Sequence, residues 1–282
     1  MRKAIDLFVN PNFATENLDN KLTQDVNEFY FKRGDDFFQD CTIDGLLGEM
    51  NDLGVEHCAL TIDPENPPPR VLEFSRRHPG RFSLCPLVDV NRLLDSVWAA
   101  EDLLNTENVT MFRVMPSLMD KPPTHAYYYP LFAKCVELDV PLSIFTGIPG
   151  PRLDAESQNP IHLDRVCRDF PALKIIMTHG ADPWWGTAMR LMIKYPNLYM
   201  ITSAWMPKYL PDEFLHFMNT RGRDKVMWSS DHPVLDMKRC LDGTDAIAGK
   251  LRPGVMEAYL YENAKRVVLA KRKPVRERKN AG

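Results

Sequence analysis

Residues 173–180 read LKIIMTHG and residues 225–233 read KVMWSSDHP, and each run is hydrophobic until it reaches a functional group. A short apolar run that ends at turn residues is typical of a buried β-strand. The functional groups at the two ends are His179 and Asp231. In a (β/α)8 barrel the catalytic side chains come from the C-terminal ends of parallel strands. The two runs therefore predict a barrel with His179 and Asp231 at its active face.

The rest of the chain repeats this pattern, because strand-like runs alternate with segments of helical spacing. Such alternation predicts βα units around a parallel sheet. We predict an α/β fold, a (β/α)8 TIM barrel over residues 1–270, followed by a basic, solvated tail over residues 271–282. The eight predicted strands are residues 4–9, 58–62, 82–88, 110–115, 142–146, 174–178, 198–202 and 226–230.

Composition excludes several classes of protein. The chain has 282 residues, 44% of them hydrophobic and 26% charged, and a net charge of -3. This charge provides no basic field for nucleic acid, and no apolar run is long enough to span a membrane. The N-terminal segment lacks the continuous apolar stretch of a signal peptide, so we expect a cytoplasmic protein whose six scattered cysteines stay reduced.

Three polar or proline-rich insertions extend the minimal barrel. Residues 12–40 follow strand one, residues 64–70 contain four prolines, and residues 147–159 follow strand five. Loops at this end of a barrel carry function, so the insertions are predicted to form the walls or lid of a pocket. Oligomer contacts or ordinary surface are the alternative interpretation.

Five motifs in the C-terminal half, which cover about a third of the chain, follow one another in order. They are FPALKIIMTHG at 170–180, YPNLY at 195–199, TSAW at 202–205, DKVMWSSDHP at 224–233 and ENA at 262–264. With these motifs the C-terminal half resembles the amidohydrolase-2 family, the branch of the amidohydrolase superfamily that includes aminocarboxymuconate semialdehyde decarboxylases. The resemblance implies an enzyme with a barrel fold, and by analogy a homodimer.

The resemblance also implies a divalent metal, usually zinc, held by histidines on strands one and five and by an aspartate on strand eight, with a histidine after strand six assisting. His179 and Asp231 match this pattern, but the other ligand positions are occupied by Phe8, Asn10 and Phe145. A catalytic zinc needs about three protein ligands, and phenylalanine has no lone pair to offer. We therefore predict no metal cofactor. The alternatives are a weak site of Asp231 and His179, and one rebuilt from these two with Asp6 and Asn10.

The remaining candidates form a metal-free site. Asp231 needs a hydrogen-bond donor in an apolar strand, and His179 is the expected one, which makes the pair either a general acid/base unit or a structural salt bridge. Arg113 lies among apolar residues of strand four, where a buried guanidinium usually has an anionic partner, so it is predicted to bind a substrate carboxylate. Asn10 is assigned as a donor to charge that develops on oxygen.

Aromatic side chains complete the predicted pocket. Phe8 and Phe145 make it apolar, and Trp184 and Trp205, with Trp185, are positioned to stack on a flat ring or to pack in the core. Two histidines are less defined. His232 is expected at the rim or facing away, and His125 is a possible substitute ligand.

These features predict a hydrolase or a decarboxylase-like C–C lyase that acts on a small cyclic or aromatic-derived carboxylic acid, without a metal. One alternative is a barrel that has lost its chemistry and serves as a binding or structural subunit. The other is a metal-dependent hydrolase with a rebuilt site. An open pocket that reaches His179 would favour an enzyme over the retired barrel.

Overall fold

Eight parallel strands follow one another along the chain in a computed structural model, which describes residues 2–275. All eight predicted strands are present, with ends that differ by three residues or fewer. The strands are β1 (Ala4–Val9), β2 (Val55–Ile62), β3 (Phe82–Pro86), β4 (Phe112–Val114), β5 (Leu142–Phe145), β6 (Ile175–Thr178), β7 (Leu198–Ile201) and β8 (Val226–Met227).

Helical segments connect consecutive strands. The α-helices are α1 (Phe13–Asn17), α2 (Lys21–Val26), α3 (Ile43–Leu53), α4 (Pro69–Arg77), α5 (Leu93–Thr106), α6 (Pro116–Met119), α7 (Tyr129–Leu138), α8 (His162–Asp169), α9 (Trp185–Lys194), α10 (Asp212–Met218), α11 (Met237–Asp242), α12 (Asp245–Ala248), α13 (Val255–Glu257) and α14 (Asn263–Val267). Short 3-10 turns cover Gly34–Phe37, Val90–Arg92, Ala126–Tyr128, Glu156–Gln158 and Pro207–Tyr209, and π-helical turns cover Asn27–Phe31 and Ala258–Glu262.

The strands close into a barrel through two groups of ladders. β1, β2 and β3 form one group, and β4 to β8 form the other, each pair being parallel. Isolated bridges join the groups, from Leu84 to Val109 and from Leu87 to Arg113 on one side, and from Val9 to His232 on the other. The predicted (β/α)8 barrel is confirmed, and its C-terminal strand ends converge on one face.

Side-chain alternation along each strand decides what points into the barrel. Outward residues such as Phe112 and Val114 pack against the helices in the larger apolar cluster. The smaller cluster fills the barrel interior with Met111 and Ile176, and it is covered at one end by α14. Arg113 has the same parity as Met111, so the strand delivers its guanidinium into the interior.

Two of the three insertions lie over the catalytic face of the barrel. Residues 12–40 contain α1 and α2 with a small aromatic cluster of their own around Phe13 and Phe37. Residues 147–159 contain one short 3-10 turn. Residues 64–70 are different, because they lead into α4, whose first residue is Pro69, and Arg70 ties this segment to the backbone oxygen of Pro11 at 2.8 Å.

The tail predicted over residues 271–282 falls mostly outside the described range. Within that range, the backbone N–H of Lys273 donates to Asp139 Oδ2 at 2.7 Å. None of the helices between residues 2 and 275 combines the length and the apolar character that a membrane crossing requires.

Candidate active site

A layer of polar side chains lies inside the barrel beneath the strand ends. Arg113 is fully buried. It donates from Nη2 to the backbone oxygen of Leu7 at 2.8 Å, from Nε to Ser143 Oγ at 3.3 Å and from Nη1 to Thr61 Oγ1. None of these partners is a carboxylate. A guanidinium stays charged when it is buried, so this layer places a positive charge, without a hydrogen-bonded carboxylate, at the base of the catalytic face.

Two phenylalanines cover this layer. The guanidinium carbon of Arg113 lies 3.8 Å from the ring centroid of Phe8, a cation–π contact. Phe8 meets the edge of Phe145 at 5.7 Å, and the imidazole of His179 lies 4.8 Å from Phe8 and 4.5 Å from Phe145. The prediction that Phe8 and Phe145 make the site apolar agrees with this packing. The charge of Arg113 therefore acts mainly through the ring of Phe8.

His179 is held by Ser203, not by Asp231. Its Nδ1 lies 2.8 Å from Ser203 Oγ, and its backbone oxygen accepts from Trp205 Nε1 at 3.0 Å. The expected hydrogen bond between His179 and Asp231 is absent, and this corrects the predicted pair. Burial, with the charge of Arg113 as the second cause, lowers the pKa of His179 to about 3. The imidazole is therefore neutral at physiological pH.

This lowered pKa predicts acid sensitivity. An unfolded histidine takes up a proton near pH 6.5, whereas folded His179 resists it down to about pH 3, so the free energy of unfolding falls as pH drops below 6.5. Between pH 7 and pH 5 we expect the wild type to lose on the order of 1–2 kcal/mol more than His179→Gln does. Urea unfolding at both pH values measures the difference. His216→Gln, which removes an exposed histidine on α10, is the control, and an equal pH dependence in all three proteins would contradict the expectation.

Asp231 presents a carboxyl group to the cavity without a hydrogen-bond partner. Its backbone N–H donates to the oxygen of Phe8 at 3.2 Å, but within residues 2–275 its side chain makes no hydrogen bond or ion pair. Burial raises the pKa of Asp231 well above its usual range, opposed by the charge of Arg113 and assisted by that of Asp6. The carboxyl group therefore holds its proton to a higher pH than an ordinary aspartate does.

Asp6 is a second buried carboxyl group with a different role. Burial raises the pKa of Asp6, and hydrogen bonds from Ser229, Ser230 and the N–H of Phe8 oppose this rise. Its Oδ1 accepts from Ser229 Oγ at 2.5 Å, from the N–H of Ser230 at 3.1 Å and from the N–H of Phe8 at 3.1 Å. Its Oδ2 accepts from Ser230 Oγ. Asp6 therefore joins β1 to the segment that leads into Asp231. Asp6 was expected only as a possible metal ligand; its partners Ser229 and Ser230 directly precede Asp231 in the sequence.

A cavity of about 600 Å³ opens above these groups. It reaches His179, Asp231 and Arg113, and the insertions 12–40 and 147–159 supply much of its wall. The prediction that insertions form pocket walls is correct for these two segments and wrong for residues 64–70, none of which lines the cavity. The predicted site residues on the cavity wall are Phe8, Asn10, Arg113, Phe145, His179, Trp205, Asp231 and His232.

Several candidate side chains have other roles. Trp184 does not line the cavity. It directly precedes α9, and the first residue of that helix, Trp185, packs on Trp205 with ring centroids 5.5 Å apart. His125 accepts from the N–H of Tyr127 and caps a 3-10 turn away from the site, so it replaces no ligand. The amide of Asn10 accepts from Asn12 N at 3.0 Å and donates to Glu16 Oε2 at 2.9 Å, which commits it to the loop rather than to substrate.

His232 lines the rim of the cavity, as one of its two predicted positions. Its Nε2 lies 3.3 Å from Cys41 Sγ and 4.0 Å from Glu49 Oε2. Burial lowers the pKa of His232 to about 4. Like His179, it adds no positive charge to the cavity at neutral pH.

The side chains present do not fit a catalytic divalent metal. Phe8 and Phe145 pack directly on His179, and neither supplies a donor atom. Asp6 uses both oxygens for hydrogen bonds with Ser229 and Ser230. Across residues 2–275 there is no group of three or more His, Cys, Asp and Glu side chains arranged to hold a metal ion. A donor set of His179 and Asp231 falls short of the three protein ligands of a catalytic zinc site.

Comparison with solved structures identifies related barrels at low sequence identity. An uncharacterised TIM-barrel protein from Bordetella bronchiseptica superimposes with a TM-score of 0.75 at 19% identity, over 94% of this chain and 98% of that one. The 5-carboxyvanillate decarboxylase from Sphingomonas paucimobilis superimposes with a TM-score of 0.69 at 15% identity, over 95% and 98% of the two chains. At these identities the likeness concerns the fold.

Sequence comparisons place the chain in a family. Protein fluG of Emericella nidulans is 23% identical over 103 residues, which are 35% of this chain but only 12% of that protein. The family model described as Amidohydrolase matches residues 33–269, most of the barrel. The chain belongs to the amidohydrolase-2 family.

Proposed function

We propose that the protein decarboxylates a small aromatic-derived carboxylic acid without a divalent metal. The observation that carries this proposal is the carboxyl group of Asp231, which faces the cavity unpartnered and with a raised pKa, close enough to Arg113 to feel its charge. Such a group is suited to act as a general acid, because a catalytic acid must keep its proton at the working pH.

The proposed reaction uses the residues of this chain alone. Asp231 delivers its proton to the ring carbon that bears the carboxylate, the carbon–carboxylate bond then breaks and returns its electron pair to the ring, and carbon dioxide leaves. Asp231 is left as a carboxylate whose charge Arg113 stabilises, and water restores the proton. The neutral imidazole of His179 and the rings of Phe8 and Phe145 keep the reacting carboxylate in an apolar environment.

Two features favour decarboxylation over hydrolysis. Hydrolysis without a metal needs a base to activate water, and the expected His179–Asp231 unit for this task is not formed. Phe8 covers Arg113, so the guanidinium attracts a substrate carboxylate but cannot form a bidentate ion pair with it. Such a pair would stabilise the carboxylate and oppose the loss of carbon dioxide. The similar barrel of a 5-carboxyvanillate decarboxylase is consistent with this choice.

A substrate screen in deuterium oxide tests the proposal. Hydroxybenzoic acids and carboxylated lactones are incubated with chelator-treated protein and followed by mass spectrometry. We expect one or more aromatic acids to lose carbon dioxide and to gain deuterium at the vacated carbon. Ring opening of a lactone would favour a hydrolase instead, and binding without turnover of any acid would favour the retired barrel.

Metal content provides a separate check. The protein purified without an affinity tag and dialysed is expected to contain far less than one divalent ion per chain, because two donors hold zinc weakly. Elemental mass spectrometry measures this directly. Near-stoichiometric zinc or manganese would overturn the metal-free mechanism and would direct attention to a conventional metal-assisted enzyme.

A further inference from the structure

We infer that the substrate carries a single negative charge and an apolar extension that ends between the insertions 12–40 and 147–159. The inference rests on the proposed function, since it names the substrate class of the same site. It goes beyond that function because it specifies charge number and shape at the end of the substrate opposite the reacting carboxylate.

The charges on the cavity wall limit the substrate to one carboxylate. Among the described residues that line the cavity, Arg113 is the one lysine or arginine, and Asp182 adds a further carboxyl group besides the proton donor Asp231. Asp182 accepts from Trp185 Nε1 at 3.2 Å and has no basic partner in the described chain. A second substrate carboxylate would therefore lie beside Asp182, with no lysine or arginine other than Arg113 among the described lining residues to offset its charge.

The cavity has room for more than a single ring. Its volume of about 600 Å³ lies in the range that holds drug-sized ligands. If each heavy atom of a ligand takes roughly 30 Å³, the volume of one water molecule, the cavity holds about twice as many heavy atoms as benzoate has. The space beyond the reacting groups is bounded by Phe13, Val26, Tyr30, Phe31, Ile148 and Pro151. These side chains offer apolar contact and no charge.

The two insertions meet to form this outer chamber. The guanidinium of Arg152 lies 4.2 Å from the ring of Phe29, and Gly150 lies against the side chain of Val26. Tyr30 is 68% exposed and Ile148 is 61% exposed. Large apolar side chains that stay exposed beside a cavity are typical of a binding surface for an apolar ligand.

Titration calorimetry with a series of 4-alkylbenzoates, from benzoate to 4-pentylbenzoate, tests the inference. We expect Kd to fall about three- to fourfold for each added methylene, the gain that full burial of the group provides. Terephthalate, which carries a second carboxylate at the same ring position, is expected to bind at least about tenfold more weakly than 4-methylbenzoate. A Kd that is independent of chain length, or a dianion that binds as well as the monoanion, would overturn the inference.

A substitution in the outer chamber provides the matched test. Tyr30→Asp is expected to weaken 4-pentylbenzoate about tenfold or more while changing benzoate about twofold or less, because only the longer ligand reaches this position. Tyr127→Asp alters another exposed tyrosine that does not line the cavity and should change neither Kd. Circular dichroism establishes that both variants fold. Equal weakening of both ligands by Tyr30→Asp would contradict the proposed position of the extension.

These binding data separate the two proposals. Chain-length dependence without turnover would retain the inference and reject the decarboxylase. Turnover without chain-length dependence or charge selection would retain the decarboxylase and reject the inference.

Discussion

Asp231→Asn is expected to lower kcat for decarboxylation about 10²–10⁴-fold, the usual contribution of a positioned general acid. The amide has nearly the shape of the carboxyl group but has no acidic proton to transfer to carbon. Because the side chain of Asp231 makes no hydrogen bond within residues 2–275, the substitution breaks none. Single-turnover assays of carbon dioxide release, with the acid identified by the screen, measure the effect.

The controls for this variant follow from the same geometry. Asp102→Asn changes an exposed aspartate on α5 and should leave kcat unchanged. The Kd of the substrate should change only a few fold in Asp231→Asn, since Arg113 still supplies the positive charge. A variant that keeps wild-type kcat would remove Asp231 from the mechanism. A loss of binding alone would instead assign Asp231 to substrate recognition.

Much of the fold followed from the sequence because strand interiors obey a simple rule. Apolar runs alternate with helical spacing, and the parity of residues along β4 sends Arg113 inward while Phe112 packs on the helices. The same parity places Ser143 beside Arg113, in register across β4 and β5. The buried arginine and the converging strand ends were therefore predictable from pattern alone.

The arrangement of the catalytic groups was not predictable, because it depends on backbone conformation beyond the strand ends. His179 has φ 68° and Asp231 has φ 84°, a left-handed region that is uncommon for residues other than glycine. At such positions side-chain alternation no longer applies. His179 consequently meets Ser203, and Asp231 is left without the imidazole partner that proximity in the barrel had led us to expect.

The insertions mark a second limit of prediction. Their position after strands one and five indicated a role in the pocket, but contacts between distant segments decide which insertion contributes. Phe29 contacts Arg152, which is more than a hundred residues away in the sequence. The proline-rich residues 64–70 instead lead into α4, and none of them lines the cavity. No local pattern in the sequence encodes that difference.

Asp6→Ala is expected to reduce the free energy of unfolding by about 3–5 kcal/mol, because it leaves the buried hydrogen-bond donors of Asp6 without an acceptor. Asp6 is completely buried and accepts hydrogen bonds from Phe8, Ser229 and Ser230. Its carboxylate joins β1 to the last strand segment where ladder contacts are sparse, since a single bridge from Val9 to His232 closes the barrel there. Urea denaturation measures the loss, and Asp102→Ala, an exposed aspartate on α5, is the control.

Asp6→Asn distinguishes support of the barrel from support of the reaction. The amide keeps an acceptor oxygen for Ser229 and Phe8 but loses the negative charge, which is one cause of the raised pKa of Asp231. We therefore expect a smaller loss of stability than in Asp6→Ala, together with a shift of the basic limb of the pH–rate profile to lower pH, because Asp231 then loses its proton more readily. An unchanged profile in a destabilised Asp6→Asn protein would mean that Asp6 acts only as a clamp, and that burial, with Arg113 opposing it, sets the acidity of the catalytic carboxyl group.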